Sequence, residues 1–363
     1  MTPLFEHNTQ VKSLFQLPRS DYLNELALEI SRQSSKLGGI LHPITRKAIL
    51  KLFNQIDSYY SALVDGQPLS LLDIQNAVKK QYDNDPQKRK NQKESINHIE
   101  IINSIRTILK SNPSKKICHM NFINWLCSAF HQNPLDPHLL MQNSHFKDYS
   151  IGSLLHIFEE TFDPDKFNML QKIMAMSASH YCLLKFHPFL HNNPAIVRLF
   201  SVAFVNKIGI DGEGLWSLSR GFANHRFYNS NFFKEQEMSS SAALTKHCEF
   251  FLEMVLAQID FSRNILEPKN FEKRMTQYVD DLDKRGELPP QTANLLIAAL
   301  LQGEINREEI PHITGLSEDS ARNLVSKCLE KELLSAENPK ATVVLKFPVE
   351  VVEYYFPNLY LVK

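Results

Sequence analysis

Residues 187–198 of this chain are HPFLHNNPAIVR. The first eight of them form a polar break between two apolar segments with helical spacing, FNMLQKIMAMSASHYCLLKF at 167–186 and PAIVRLFSVAFVNKIG at 194–209. Pro194 suits the first position of the second helix, because its ring fixes a helical φ and its missing N–H would have no partner there. The sequence therefore predicts two buried helices joined by a polar loop at the centre of the protein.

The polar loop contains residue types that suit phosphate chemistry. Asn193 is predicted at or near the N-cap of the second helix, where free amides and the positive end of the helix dipole can hold an anion. Asn192 and Asn193 are neutral donors, and Arg198, one turn further on, can add a bidentate charge to a phosphate. His187 could take a proton from an incoming hydroxyl. The alternative is that His187 only ends one helix and Asn193 only begins the next.

The composition predicts a mainly α protein of two or three domains. The chain has 363 residues but only 11 glycines, and most of it shows helical rather than alternating spacing of apolar residues. Lys and Arg (40) balance Asp and Glu (40), which argues against a strong overall field for nucleic acid or membranes. Five dispersed cysteines without a CxxC pair favour a reducing compartment. With no signal-peptide pattern and no long apolar run, we expect a cytoplasmic protein without membrane segments.

The last hundred residues change character and predict a winged helix. Three helical segments, with Gly315 in the turn between the second and third, are followed by two short strands around positions 338–339. A helix that reads DNA would carry a mostly basic exposed face. Here Glu318 and Asp319 stand at its start, with Arg322 and further mixed charges beyond them. A structural or dimerising role is therefore favoured, and DNA binding is kept as an alternative.

The spacing H-P-F-x-x-x-N-x-x-x-x-R in residues 187–198 resembles the motif of the Fic family, HPFx(D/E)GN(G/K)RxxR. Weaker resemblances to these proteins occur in SRQSSKLGG at 31–39, DYSIG at 148–152 and GLWSLSRGFANHRFYNSNFF at 214–233. The resemblance implies a Fic-type helical bundle with a small β-hairpin flap near 133–152. It also implies an N-terminal helical region at 1–105, a Fic core at 106–265 and a winged-helix domain at 266–363.

In Fic proteins the motif histidine deprotonates a hydroxyl of a target protein, which then receives AMP from ATP. By resemblance, His187 is the base acting on a Ser, Thr or Tyr hydroxyl, with ATP and Mg²⁺ as the cosubstrate. Asn192 and Asn193 would contact the phosphates, and Arg198 would hold the terminal ones. Tyr228 lies where family members often have a tyrosine near the nucleotide, although a core tyrosine would explain it equally well. Family members often form homodimers.

The nucleotide side of the motif departs from the family pattern at four positions. His191 stands where an acidic residue would bind Mg²⁺, a hard cation that prefers oxygen ligands. Asn192 and Pro194 replace two glycines, and Ala195 replaces the first arginine. Each lost charge-assisted contact removes about 1.5 to 3 kcal/mol of binding free energy. The departures leave His187 unchanged.

A further departure concerns the inhibitory segment that some Fic proteins carry before the core. Aligned on SSKLGG, with Ser34 as its first serine, this segment has Gly38 where an inhibitory glutamate would stand. The sequence therefore predicts that no carboxylate from this segment pairs with Arg198. Three functions stay open: a Fic-type transferase, with ATP or another cosubstrate; a catalytically inactive Fic scaffold for protein binding; and a winged-helix DNA-binding regulator.

Overall fold

The structure is a computed structural model that describes residues 11, 13–67, 69–132, 149–225 and 240–360. Most of these residues are helical, as the sequence predicted. The principal helices are α1 Asp21–Gly38, α2 Pro43–Val64, α3 Leu71–Val78, α4 Pro86–Ser111, α5 Met120–His131, α6 Ile151–Phe162, α7 Met169–Phe186, α8 Asn193–Lys207, α9 Leu218–Asn224, α10 Ser241–Leu266, α11 Pro268–Lys284, α12 Thr292–Gln302, α13 Ile310–Thr314, α14 Glu318–Glu330 and α15 Val349–Tyr355.

The helices α7 and α8 form the centre of the bundle. Most residues of both are buried, including the aromatic side chains of Phe186, Phe200 and Phe204. A helix that is apolar on all sides must be enclosed by others. Accordingly α7 packs against α1, α6, α8 and α10, while α8 also contacts α4 and α5. This enclosure holds both ends of the loop 187–192 on buried elements.

Three short strands join the helices near the C-terminus. The strands are β1 Glu304–Ile305, β2 Leu334–Ser335 and β3 Val343–Leu345, and β3 pairs antiparallel with both of the others. Gly315 ends α13 in the left-handed conformation, with φ 70°, which lets the chain turn directly into α14. The order α12, β1, α13, α14, β2, β3 follows the helices and hairpin expected from the sequence. Their interpretation as a winged helix stays a prediction.

The predicted domain boundaries fall within continuous helices. Position 105/106 lies inside α4 and position 265/266 lies in the last turn of α10, so neither coincides with a linker. The N-terminal helix α1 packs along α10 and also against α7. The region 1–105 therefore shares a core with the helices that follow it. Apolar burial favours this arrangement because an amphipathic helix such as α1 needs a partner surface.

Some expectations lie outside the described residues. The predicted flap hairpin falls mostly on residues 133–148, and Tyr228 falls on 226–239; neither stretch is described. All five cysteines are described, and each is buried. In the described part of the chain, no helix is long and apolar enough to cross a membrane.

Two buried histidines stack in the core between α7 and α10. The rings of His180 and His247 lie 5.5 Å apart and nearly parallel, with Phe222 and Phe251 packed around them. His180 Nδ1 also lies 2.8 Å from Ser201 Oγ. Burial lowers the pKa of His247 to about 3, and burial together with His247 and Arg198 keeps the pKa of His180 well below its ordinary value. Both rings are therefore neutral in the folded protein.

These histidines predict a loss of stability in mild acid. The unfolded chain binds protons on both rings below about pH 6.5, whereas the folded chain does not, so the free energy of unfolding falls as the pH drops. We expect a slope of up to about 1.4 kcal/mol per pH unit for each histidine. Urea unfolding between pH 7 and pH 5 measures it. His247→Phe should reduce the slope and the exposed control His156→Gln should not; equal slopes in wild type and His247→Phe would contradict this account.

Candidate functional site

The loop 187–192 has a defined backbone with two left-handed residues. His187 ends α7 with φ 52° and ψ 62°, and its N–H donates to Leu183 O at 3.1 Å. Asn192 precedes α8 with φ 55° and ψ 32°. Asparagine tolerates this conformation better than most residues, so the loop can turn here without a glycine. A left-handed histidine is uncommon, and such residues concentrate at functional sites.

Asn193 fastens the loop from within and does not face solvent. Its side chain is buried, with Oδ1 accepting from Phe189 N–H and Nδ2 donating to Leu183 O, both at 3.3 Å. The Asn193 amide is thus used inside the loop, and its contact with a phosphate stays a prediction. The neighbouring Asn192 is exposed and lines a cleft. Helix α8 begins at Asn193, so Pro194 is its second residue.

Arg198 is held by a carboxylate that the sequence analysis did not identify. Its Nη2 lies 2.6 and 2.7 Å from the two carboxylate oxygens of Asp65 and 3.2 Å from Ser61 Oγ. The Arg198 side chain is 5% exposed, whereas that of Asp65 is 33% exposed. The Nε atom of Arg198 is buried, with no hydrogen-bond acceptor among the described residues. Arg198 is thus a buried cation, and its partner Asp65 is accessible to solvent.

The C-terminal end of α2 brings this carboxylate to Arg198. Ser61 lies in the last turn of α2, Asp65 is its C-cap, and Gly66 follows with φ 76°. Four residues apart on a helix, Ser61 and Asp65 lie on the same side. Helix α2 packs against α9 and α4, and α4 packs against α8. This packing joins side chains that are 133 residues apart in the sequence.

The segment that was aligned with the inhibitory motif lies elsewhere. Ser34 is buried on α1, and Gly38 O accepts from Arg46 Nη1 in the first turn of α2. At a rise of about 1.5 Å per residue, Arg46 and Asp65 are about 28 Å apart along α2. The structure therefore does not bring Ser34 or Gly38 to Arg198. The carboxylate that pairs with Arg198 comes instead from Asp65, at the end of α2.

The sequence did carry a signal for this pairing. Residues 61–66 are SALVDG, a serine followed four residues later by an acid and then a glycine. This is the pattern of serine, acid and glycine on which residues 34–39 were aligned, with aspartate in place of glutamate. The periodicity of α2 alone gives no reason to prefer residues 61–66 over 34–39, since its pattern indicates only that Asp65 is an exposed residue at a helix end. Only its pairing with a buried arginine distinguishes it.

A second buried carboxylate supports the same end of the molecule. Asp57 on α2 accepts hydrogen bonds from Ser217 Oγ at 2.5 Å, Ser219 Oγ at 3.0 Å and Ser219 N–H at 3.2 Å, and its Oδ2 lies 3.0 Å from His98 Nε2. Burial tends to raise the pKa of Asp57, but His98 and these donors hold it below its ordinary value. Because Asp57 is ionised, His98 carries its proton on Nε2. The network ties α2 to α4 and α9.

The donor set around the loop does not suit Mg²⁺. His191 is exposed at the position of the expected acidic ligand, and an imidazole is a poor ligand for this hard cation. Residues 187–198 contain no carboxylate. Asp65 reaches this site through its contact with Arg198, and the guanidinium binds both of its carboxylate oxygens. Across the described ranges, no group of three or more His, Cys, Asp or Glu side chains could hold a metal ion.

Solved structures of Fic proteins show the same fold as this helical bundle. A Fic family protein from Desulfovibrio desulfuricans G20 matches with a TM-score of 0.51 and 12% identity, over 92% of this chain and 99% of that one. Fic-1 from C. elegans matches with a TM-score of 0.51 and 13% identity, over 68% of this chain and 73% of that one. No protein-family model and no curated protein matches the sequence. This chain has the Fic fold.

Proposed function

We propose that this chain is a Fic-type transferase that joins AMP from ATP to a hydroxyl group of a target protein and is restrained by Asp65. The observation that carries the proposal is the pair between Arg198 and Asp65. A buried guanidinium is a strong phosphate ligand, and its present partner is an acid that one-third exposure leaves open to displacement. Terminal phosphates of ATP would compete with this carboxylate for the same donors.

The transfer step needs a base, and His187 supplies it. Its Nδ1 is buried, so Nε2 is the nitrogen that would take the proton of a Ser, Thr or Tyr hydroxyl. The hydroxyl oxygen forms a bond to the α-phosphorus of ATP as the bond to the bridging oxygen breaks. Pyrophosphate leaves, and AMP remains on the target. The amide groups at the start of α8 and the exposed Asn192 would face the developing negative charge.

The restraint by Asp65 favours a transferase over a catalytically inactive scaffold. In a scaffold that binds no nucleotide, a buried cation with a displaceable partner would have no role. Proteins with apolar residues in place of such a pair are often equally stable. The substitutions at His191, Pro194 and Ala195 weaken the site without removing its base or its second arginine. We therefore infer low activity in the restrained state.

Removal of the Asp65 carboxylate should raise activity. Asp65→Ala leaves Arg198 its contact with Ser61 and frees its donors for phosphate, each worth about 1.5 to 3 kcal/mol when the acceptor is charged. We expect between about tenfold and a hundredfold more labelling by ATP that carries a label on its α-phosphate. The measurement is incorporation of label into the protein itself and into proteins of a cell extract.

Matched variants separate this effect from a general loosening of the fold. Asp65→Glu keeps the carboxylate and should stay restrained, whereas Asp65→Ala with Arg198→Ala should lose the gain. Thermal unfolding of each variant checks its integrity. Unchanged labelling and unchanged ATP affinity in well-folded Asp65→Ala would refute the restraint.

For the C-terminal region we propose a winged helix with a structural role. Tyr60 Oη of α2 donates to Leu359 O, and Leu71 N–H of α3 donates to Tyr360 Oη, both at 3.1 Å. The first contact holds Leu359 against the helix that carries Asp65, and the second holds Tyr360 against α3. On α14, Arg322 stands beside Glu318 and Asp319, so the exposed face at the start of this helix has mixed charge and not the mostly basic face that DNA requires. The observations thus favour contacts within the protein over a DNA-binding role.

A further inference from the structure

A cleft of about 400 Å³ opens beside the pair of Arg198 and Asp65. Its walls are the C-terminal end of α2, the first half of α4, the end of α5 and Asn192 of the loop. Its size is within the range of small-molecule sites. Asp65 both lines this cleft and binds Arg198, so a phosphate that replaced the Asp65 carboxylate would lie at the edge of the cleft.

Two lysines of α4 line the cleft, and neither has a close ion pair among the described residues. Lys90 and Lys93 are one turn apart, and both are exposed. Lys90 Nζ is 3.8 Å from the Glu94 carboxylate, a solvent-exposed pair of little strength. Among the residues that the structure describes, Lys93 has no carboxylate within 4 Å. By contrast, Lys88 on the same helix is tied to Asp73 and Asp83, at 2.9 and 3.0 Å.

The charges of the cleft therefore favour binding of an anion. They do not favour an anion that carries a bound Mg²⁺ ion. With Asp65 displaced, Lys90, Lys93 and Arg198 provide three positive charges, and Glu94 is the remaining acid among the residues that line the cleft. No carboxylate lies in the loop to hold a divalent cation, and His191 cannot replace one. Neutralisation of a phosphate chain falls to the side-chain cations.

We propose that this cleft binds the phosphate chain of the nucleotide without a divalent cation, through Lys90 and Lys93 together with Arg198. The inference rests on the proposed transferase function and specifies how its cosubstrate is held. The lysines contribute as flexible point charges, whereas Arg198 is fixed by burial. Binding should consequently weaken as the salt concentration rises.

The test uses the full chain with Asp65→Ala, titrated by calorimetry with ATP and with inorganic tripolyphosphate, in EDTA and in Mg²⁺. We expect dissociation constants in EDTA within about threefold of those in Mg²⁺, and at least about tenfold weaker binding after Lys90→Ala with Lys93→Ala. Lys110→Ala, near the other end of α4, is the matched control and should bind as the parent does. Binding that requires Mg²⁺, or binding that the double lysine variant leaves unchanged, would overturn the inference.

Labelling with ATP, measured on the same proteins, separates this inference from the proposed function. Labelling that depends on His187 and on Mg²⁺, and that the lysine variant leaves intact, would overturn the inference while the transferase function stands. Tripolyphosphate binding in EDTA that the lysine variant weakens, without labelling under any condition, would support the anion site and reject the transferase.

Discussion

Replacement of His187 by alanine in the Asp65→Ala protein is expected to reduce labelling by ATP by about 10² to 10⁴, the usual contribution of a general base. The affinity for ATP should change little, because the base acts on the hydroxyl of the target and not on the phosphates. The expected result is therefore a loss of turnover with a nearly constant dissociation constant. Radiolabel incorporation measures the first quantity, and calorimetry measures the second.

The effect of this substitution on folding has to be considered, since the backbone of His187 is left-handed and its ring lies against the core. Alanine should be tolerated there, because most of the stabilising contacts of the loop come from Asn193 and Phe189. His312→Ala, an exposed histidine on α13, is the control and should label as the parent does. If His187→Ala labelled at the rate of its parent, another group would have to take the hydroxyl proton.

Replacement of Asp57 by alanine is expected to lower the free energy of unfolding by at least about 3 kcal/mol, because it leaves several buried hydrogen-bond donors without an acceptor. The change leaves the His98 imidazole, two serine hydroxyls and the Ser219 N–H without their acceptor. Each such buried donor carries a desolvation penalty of about 1 to 3 kcal/mol when unpaired. Urea unfolding at pH 7 measures the loss.

The loss should depend on the chemistry of the replacement. Asp57→Asn keeps one acceptor oxygen and should be less destabilising than Asp57→Ala. Asp280→Ala, at an exposed position of α11, should change the free energy of unfolding by less than about 0.5 kcal/mol. A loss below about 1 kcal/mol in Asp57→Ala would show that water replaces the carboxylate, and the network would then not fix the position of α2.

Local signals in the sequence were sufficient for most helices. The apolar spacing after Ser20 and the glycines at 38–39 mark the extent of α1, and Pro43 marks the start of α2. The loop at 187–192 followed from a polar break between two apolar segments. The polar segment 83–94 lies largely on α4. Asp85 caps that helix and Pro86 begins it, so the chemistry of its start was present in the sequence.

Local signals failed where a side chain meets a distant partner. The alignment on SSKLGG gave Gly38 the place of an acid, whereas in the fold the acid that pairs with Arg198 is Asp65. The amide of Asn193 bonds to the backbone of its own loop, which its position at the start of a helix does not indicate. In both cases hydrogen-bond partners decide the role of a polar side chain, and those partners depend on how the helices pack.

The sequence by itself determined the helical class of this protein, the position of its central loop and the presence of His187 and Arg198 on either side of that loop. These features depend on spacing, capping and proline placement, which act over a few residues. Only the tertiary structure decided that Arg198 is paired, that its partner is Asp65, and that Lys90 and Lys93 line the adjoining cleft. The physical reason is that apolar packing of α2 and α4 around the central helices sets these distances, and such packing is specified by the whole core and not by any one segment.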